Sequence, residues 1–547
     1  MQRKIGIIDL GSNTSRLIII AYTPGVSFKL VDQVRERVRL SEGMGAENVL
    51  RPEPMERTIH LLKVFRSLSE ANGIDAIVAV ATSAVRDARN QAEFLRRVQD
   101  EAGLTLRVLS GDEEARYGFL GVVNSLAFHN GLVVDIGGGS MELTRVQGRQ
   151  PAQSVTLPAG AVRLTEAFVR ADPPKPAEAR ALGRYLEYML SDMRWIEAGR
   201  DDVMIGIGGT IRALAKIDQR LRDYPLDRVH GFVLTLRAVE DIIDELQRLP
   251  LHKRRKIAGL NDDRADVILA GAIALAQVMR RAGYAELAVS NQGLREGLFY
   301  EHFLSESGAP SAPDVRAFGL ANLTHLFDVN WPHARHVAKL ATSLFDQLRS
   351  LHRYGAFERS VLLNAALLHD IGVAIDFYDH HEHSASIILD ADLPGFTHRE
   401  IALMSQLALY HRRGMPKPNP FSGLLTRQDD ALIAKLSALL RLAEYLERSR
   451  SQVVESIKCR IQGKSVQLTC SVRGDASTEV WATERNAEPF EKAFKRNLII
   501  RTQPARSARA ASRKGESTSG RGPLWDRMDE LTEMASESGG VRVRGGS

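Results

Sequence analysis

Three glycine-rich segments, each entered from an apolar run, carry most of the chemistry written in this chain. They read Ile7-Ile8-Asp9-Leu10-Gly11-Ser12-Asn13-Thr14, Val133-Val134-Asp135-Ile136-Gly137-Gly138-Gly139-Ser140 and Ile205-Gly206-Ile207-Gly208-Gly209-Thr210. An apolar run entering Asp-x-Gly reads as a buried strand ending in a tight turn. Glycine lets backbone N–H groups come close to an anion, and consecutive N–H groups form an anion-binding nest. Ser12, Asn13, Thr14, Ser140 and Thr210 can add hydrogen bonds to phosphate oxygens, and an aspartate in two of the loops can hold a metal. One such loop is as readily an ordinary strand-to-turn glycine. Three together point to phosphate chemistry.

Hydrolysing a phosphoanhydride needs charge neutralisation on the phosphoryl group, a positioned water and a group to take its proton. Asp135 ends a predicted strand, and a strand–turn–strand path can return Glu142 beside it, so that the two carboxylates share Mg²⁺. Glu142 also reads as a plain surface strand residue. Glu113 and Glu114 stand in the first turn of a predicted helix, where carboxylates suit the N-terminal dipole whatever else they do. Arg86, after Ala81-Thr82-Ser83-Ala84-Val85, can clamp a phosphate in bidentate fashion or simply be solvated. Arg264 and Arg295 read equally as structural salt-bridge partners, and Lys253-Arg254-Arg255-Lys256 as a solvated basic stretch.

The elements that must position these groups alternate strand and helix. Strands are predicted at Ile5–Ile8, Leu17–Ala21, Ala76–Ala81 and Leu106–Leu109, then at Leu132–Asp135 and Val203–Gly206, with helices starting near Pro54 and after Asp112. This is α/β territory in two lobes, 1–125 and 126–305. A small-residue, proline-bearing linker (306–314) follows, then a helical domain (315–450), a small α+β piece (451–501) and a Ser-, Arg- and Gly-rich tail expected to be disordered (502–547), in which Leu524–Met534 has some helical character.

A chain of 547 residues is too long for one core. Met1-Gln2-Arg3-Lys4 leads directly into a strand, so no signal peptide is expected. Val267–Met279, the longest largely apolar run, is too short for a bilayer and reads as a core helix. Cys459 and Cys470 flank a predicted hairpin turning at Gly463-Lys464 and make no disulfide framework, which suits a reducing cytoplasm. The formal charge of +6 is modest for the size and does not by itself imply nucleic acid; nucleic acid is not an expected partner, and with no apolar run long enough, neither is a membrane.

The loops resemble the phosphate loops of the superfamily containing actin, Hsp70 and sugar kinases. The finer text resembles the exopolyphosphatase/guanosine pentaphosphate phosphatase family. The matching stretches, in order, are Ile7 to Leu17, Ala81 to Arg86, Ser110-Gly111-Asp112-Glu113-Glu114-Ala115-Arg116-Tyr117, Val134 to Glu142, Leu157 to Phe168, Gly206 to Leu214, Arg264 to Ala274 and Gly293 to Gly297. The resemblance implies a two-lobed, actin-like (ribonuclease H-like) α/β core with a cleft between the lobes. It implies Glu114, the glutamate before Ala-Arg, as the catalytic base, with Glu113 as the fallback. It gives Asp135 and Glu142 to Mg²⁺ and catalysis, and Arg86 to substrate. Gly11, Ser12, Asn13, Thr14, Gly137, Gly138, Gly139, Ser140, Gly208, Gly209 and Thr210 would cradle phosphates.

In the helical region, His333, Leu367-Leu368-His369-Asp370-Ile371-Gly372, His383, His411 and Glu444 resemble the HD phosphohydrolase fold, with glutamate where an active member carries aspartate. An imidazole and adjacent carboxylate on one helix, with histidines on its neighbours, suit one or two divalent metals; His336 is an alternative to His333. The family commonly uses this HD-like domain as a polymer-binding scaffold. The expected activity is Mg²⁺-dependent release of orthophosphate from the end of inorganic polyphosphate, by a cytoplasmic homodimer. Removal of the 5′ γ-phosphate of guanosine pentaphosphate, a non-catalytic polyphosphate sensor, and a sugar-kinase or actin-like ATPase are the alternatives.

Overall fold

The computed structural model describes residues 2–305, 311–417, 420–505 and 523–536, and the chain divides into two compact units, Met1–Val315 and Arg316–Ser547.

The first unit is built on two sheets of one design. In the first, β1 (Arg3–Leu10), β2 (Thr14–Thr23), β3 (Ser27–Arg37), β4 (Ala76–Ala81) and β5 (Arg107–Val108) lie in the order β3-β2-β1-β4-β5. In the second, β6 (Gly131–Ile136), β7 (Met141–Gln147), β8 (Gln150–Leu157), β9 (Val203–Ile207), β10 (Val233–Thr235) and β11 (Glu286–Val289) lie in the order β10-β11-β9-β6-β7-β8. Each sheet starts with an antiparallel meander, β1-β2-β3 or β6-β7-β8, and continues through a parallel neighbour of its first strand, β4 or β9. β10 is an added antiparallel edge. The central strands are apolar on both faces because helices cover them. Edge strand β3, with the sequence Ser-Phe-Lys-Leu-Val-Asp-Gln-Val-Arg-Glu-Arg, is largely exposed. It lacks the apolar pattern of a buried strand, and it was absent from the sequence-based elements for that reason.

The lobes are fastened together. Helix Leu294–Leu304 packs against helix Gly111–Val123 so closely that a Cβ at Gly121 would overlap the backbone of Gly293. On its other side Phe299 and Phe303 meet Tyr22 and Phe28 of the first sheet, with ring centroids 5.0–6.2 Å apart.

The second unit is a helical bundle followed by a small sheet in the order β12 (Val454–Gln462), β13 (Ser465–Val472), β14 (Asn497–Pro504). Helices Trp331–Gln347, Ala356–Leu368, His398–Tyr410 and Arg427–Tyr445 form its core. The β12–β13 hairpin turns at Gly463 (φ +55°), and Cys459 and Cys470 on it are both free.

Of the linker 306–314, residues 306–310 lie outside the described part, and near its far end buried Ala312 accepts a hydrogen bond from Arg149 and donates one to Asn124. The tail, expected to be disordered from 502 with some helical character at Leu524–Met534, continues β14 to Pro504 and forms helix Pro523–Ser536, with Leu524, Trp525, Met528 and Leu531 buried. A single apolar stripe at helical spacing is diluted in a composition dominated by Ser, Arg and Gly. Residues 506–522 and 537–547 are outside the described part. No helix among the described residues is long and apolar enough to cross a membrane.

Candidate active site

The β1–β2 and β6–β7 hairpins make the same turn. Gly11 N–H donates to Thr14 O at 3.1 Å, and Gly137 N–H to Ser140 O at 3.0 Å. The turn fixes the register, so Asp9 lies opposite Arg16 and Asp135 opposite Glu142. Directly opposed residues point to one face of a sheet. One hairpin therefore pairs a carboxylate with a guanidinium, and the other pairs two carboxylates.

The loops close on one another because they lack side chains. A Cβ at Gly138 would sit 3.1 Å from Ser12 Cβ, and one at Gly139 would sit 2.6 Å from Ser83 Oγ. Ser12 and Ser83 share a hydrogen bond of 2.9 Å. Gly208 has φ +91° and leads into helix Gly209–Leu221; a Cβ there would lie 2.5 Å from Asp135 Oδ1. Only glycine allows both that conformation and that approach. Gly11, Ser12, Asn13, Thr14, Gly137, Gly138, Ser140, Gly208 and Gly209 line one cleft with Asp9, Glu114 and Asp135. Thr210 and Gly139 do not line it. Thr210 is buried against Gly271, and Gly139 is packed under Ser83.

Neighbours in sequence, Glu113 and Glu114 have different tasks. Ser110 caps the helix Gly111–Val123: its Oγ accepts from Glu113 N–H at 3.1 Å, and Glu113 Oε2 accepts from Ser110 N–H at 2.9 Å. These bonds hold Glu113 below the usual carboxylate range. Glu114 turns to the cleft, and burial pushes its carboxyl up to about 7, with Arg86 pulling the other way and Asp135 and Asp9 adding to the rise. Arg86 meets Glu114: its Nη1 donates to Glu114 Oε2 at 2.9 Å and to Leu109 O at 3.1 Å. Bound in this way, its guanidinium is placed to orient Glu114 at the edge of the cleft.

Burial also raises Asp135 to about 6 and raises Asp9, each countered by nearby arginines. Glu142 lies behind the cleft wall, 3% exposed, with neither carboxylate oxygen in a well-formed hydrogen bond. Burial first, then Glu114 and Asp135, lift it well above its ordinary value, and Ser140 and Arg86 offset this only partly. Four carboxylates that repel one another, two of their oxygens orphaned, suit a hard divalent cation with oxygen ligands. The residues present fit Mg²⁺.

Further into the cleft stand Arg16, Arg212, Arg264 and Arg295. Burial and then repulsion among the four lower the pKa of Arg16 and bring Arg212 down to about 10; burial, then Arg35 and Arg212, bring Arg264 to about 10. Asp263 and Asp266 are ion-paired with Arg35 and Arg37 of the other lobe, while Arg264 between them lines the cleft against Gly209. Like positive charges gathered in a cleft suit an anion. The sequence reading passed over Arg16 and Arg212. One signal was available for Arg16, which follows Asp9 at the spacing by which Glu142 follows Asp135.

In the second unit, His333, His369, Asp370, His380, His411 and Glu444 meet in the bundle core. Glu444 Oε2 is 3.1 Å from both His333 Nε2 and His369 Nε2, and Asp370 Oδ1 is 3.2 Å from His380 Nε2 and 3.6 Å from His411 Nε2. Burial alone would lower His369, but Asp370 and Glu444 carry it up to about 9. His383 is not in the cluster; His380 takes that place. Both lie on helix His380–Asp390, but three residues advance about 4.5 Å along a helix axis, and the cluster lies at its first turn. His336 bonds Val454 O at 2.8 Å and is also outside.

Residues 18–306 match the Ppx/GppA phosphatase family, and residues 315–483 match Ppx/GppA phosphatase domain III. The Aquifex aeolicus member of the Ppx/GppA protein family is 33% identical over 56% of this chain and 100% of its own, with a TM-score of 0.50. An exopolyphosphatase from Cytophaga hutchinsonii shares the fold, at 24% identity over 57% of this chain and 100% of its own, with a TM-score of 0.52. With its actin-like α/β core, glycine loops and domain III bundle, the chain belongs to the Ppx/GppA phosphatase family.

Proposed function

We propose that this phosphatase is an exopolyphosphatase that releases orthophosphate from the end of inorganic polyphosphate with Mg²⁺. The carrying observation is one cleft holding a carboxylate base at its floor, three glycine loops around it and four arginines beyond. The glycine loops would hold the terminal phosphoryl group by backbone N–H groups and the hydroxyls of Ser12, Thr14 and Ser140. Arg16, Arg212, Arg264 and Arg295 would hold the following phosphates and balance the charge of the leaving chain. Glu114, with its carboxyl near 7, is poised to accept a proton from water at neutral pH. As water oxygen bonds to the terminal phosphorus, the bridging P–O bond breaks and its electron pair leaves on the shortened chain. Asp135 and Glu142, with Asp9 nearby, would hold Mg²⁺. That ion supplies charge neutralisation on the phosphoryl oxygens.

The cleft's repeated cationic groups suit a repeating polyanion, and among its described lining residues none is aromatic to stack a base. Orthophosphate release from polyphosphate and from guanosine pentaphosphate, measured side by side with and without Mg²⁺, tests the reading. Faster turnover of polyphosphate is expected. Preference for guanosine pentaphosphate would transfer the assignment to that substrate, and release without a divalent cation would remove Mg²⁺ from it.

A further inference from the structure

An arginine is a long, flexible side chain, and it meets an anion best when its guanidinium plane is already fixed. Arg212 stands at the end of the first turn of helix Gly209–Leu221, so its backbone is set by the third glycine loop while its side chain must be aimed by something else. Its Nη1 donates to Asn291 O at 3.1 Å. Asn291 lies in the short connection between β11 and helix Leu294–Leu304, and the aim of Arg212 therefore depends on how that connection is held.

Each N–H of the connection has a partner. Ser290 N–H donates to Gly206 O at 2.8 Å, Gln292 N–H to Ser290 Oγ at 3.1 Å and Gly293 N–H to Glu296 Oε2 at 2.8 Å. These three bonds are made within the sheet or the connection and its helix. Asn291 N–H reaches further, to His230 Nδ1 at 3.2 Å. Asn291 is thus held by a histidine through its N–H and holds an arginine through its carbonyl.

His230 is 8% exposed, and its ring is committed on both sides. Nε2 is 3.2 Å from Ser125 O, at the far end of the helix that carries Glu114. A carbonyl only accepts, so Nε2 carries the proton and Nδ1 offers its lone pair to Asn291 N–H. The chain around the ring explains its place. Val229 and Phe232 are buried on either side of it, Gly231 takes φ +85°, and Gly231 N–H donates to Val289 O at 2.8 Å. Val289 N–H in turn donates to Phe232 O at 2.9 Å. The approach to the added edge strand β10 is docked on β11 in this way, and it delivers a histidine to the connection that aims Arg212.

We propose that His230 is a positioning residue for substrate binding: through Asn291 it fixes the guanidinium of Arg212 for the phosphates that follow the terminal one. The inference rests on the proposed function, which gives Arg212 to the polyanion. With the plane set in advance, binding does not have to order the side chain.

Two substitutions in the full chain separate this role from a structural one. His230→Asn keeps an acceptor near the Nδ1 position, whereas His230→Gln keeps a donor near the Nε2 position. His230→Gln should raise KM for polyphosphate about 2–10-fold, the range for leaving one side chain to be ordered on binding. His230→Asn, though smaller, should stay closer to the parent. The reverse order would show that the ring serves Ser125 and packing, and would overturn the role. Arg212→Gln should raise KM by itself, and His230→Gln added to it should raise KM no further, since no guanidinium is left to aim. Independent, additive increases would also overturn the role. If His230→Gln melts below the assay temperature, His230→Phe, which fills the space without an acceptor, replaces it in both comparisons. A parental KM in Arg212→Gln is a different failure: it would remove Arg212 from the substrate in the proposed function, and the role of His230 with it. If the parent prefers guanosine pentaphosphate, the same KM comparisons on that substrate decide the role of His230.

Discussion

Asp135 on β6 and Glu142 on β7 stand directly opposite each other in the ladder, as Asp9 and Arg16 do on β1 and β2. The two lobes thus repeat one hairpin with one residue type exchanged. Carboxylate against carboxylate suits a cation in the second lobe, and carboxylate against guanidinium sets a positive charge in the first. On the proposed function, a phosphoryl group with its metal would use both at once.

The separate tasks of Glu113 and Glu114 predict opposite phenotypes. Glu114→Gln should lower kcat about 10²–10⁴-fold with the fold intact, since a general base contributes that much. Glu113→Gln should keep most activity and cost about 1 kcal/mol of stability or less through the weakened capping box. Steady-state kinetics and thermal melts of both variants check this, and equal activity losses would remove the distinction.

Arg86 lowers the Glu114 carboxyl against the effect of burial. Without it, Glu114 should hold its proton to higher pH, and a base works only when deprotonated. Arg86→Met should therefore move the acidic limb of the kcat profile to higher pH, with activity recovering toward the alkaline side. A profile that only drops in height would mean that Arg86 acts on substrate.

Arg16→Gln should raise KM for polyphosphate more than it lowers kcat. Charge-assisted hydrogen bonds contribute roughly 1.5–3 kcal/mol, so a loss of about 10–100-fold in kcat/KM is expected. The loss should shrink at high salt, where the parent's own advantage is screened. Kinetics at two ionic strengths decide it.

Glu447 is fully buried, with Oε1 accepting from Gln452 N–H at 3.0 Å and Oε2 in no hydrogen bond, 3.7 Å from His336 Nε2. Burial lifts its carboxyl to about 7. The native state therefore binds this proton more firmly than the unfolded chain does. Stability from this group is fully present below its ordinary value and falls as pH rises through about 7. Glu447→Gln, which mimics the protonated form, should raise the thermal midpoint at pH 8 and gain little at pH 5. An equal shift at both pH values would show that its effect is packing alone.

Helix Pro523–Ser536 buries Trp525, and its Glu530 accepts from Trp331 Nε1 at 2.6 Å. Trp525→Ala should destabilise the helical unit by about 3–5 kcal/mol, the usual cost of removing a buried aromatic. Thermal melts should show it, and an unchanged midpoint would mean the helix is not seated on the bundle in solution.

Local order was readable in the chain because its causes are local. Apolar runs ending in Asp-x-Gly made the strands and turns of β1 and β6, alternation marked the lobes, and the acidic residues from Asp112 marked a helix N-terminus. What the chain could not show depends on contacts between distant segments. Ser110 commits Glu113 only once the capping box closes, and that closure alone assigns Glu114 to the cleft. Arg16, Arg212, Arg264 and Arg295 are ordinary basic residues until folding brings them to one wall. Arg86 reads as an anion clamp or a solvated side chain, and only the fold brings Leu109 O and Glu114 to its guanidinium. His380 and His383 share a helix and a residue type, and only the bundle's packing, which puts the cluster at that helix's first turn, chooses between them. Propensity and turn chemistry act over a few residues, whereas the placing of a charge is settled by whatever the rest of the fold brings beside it.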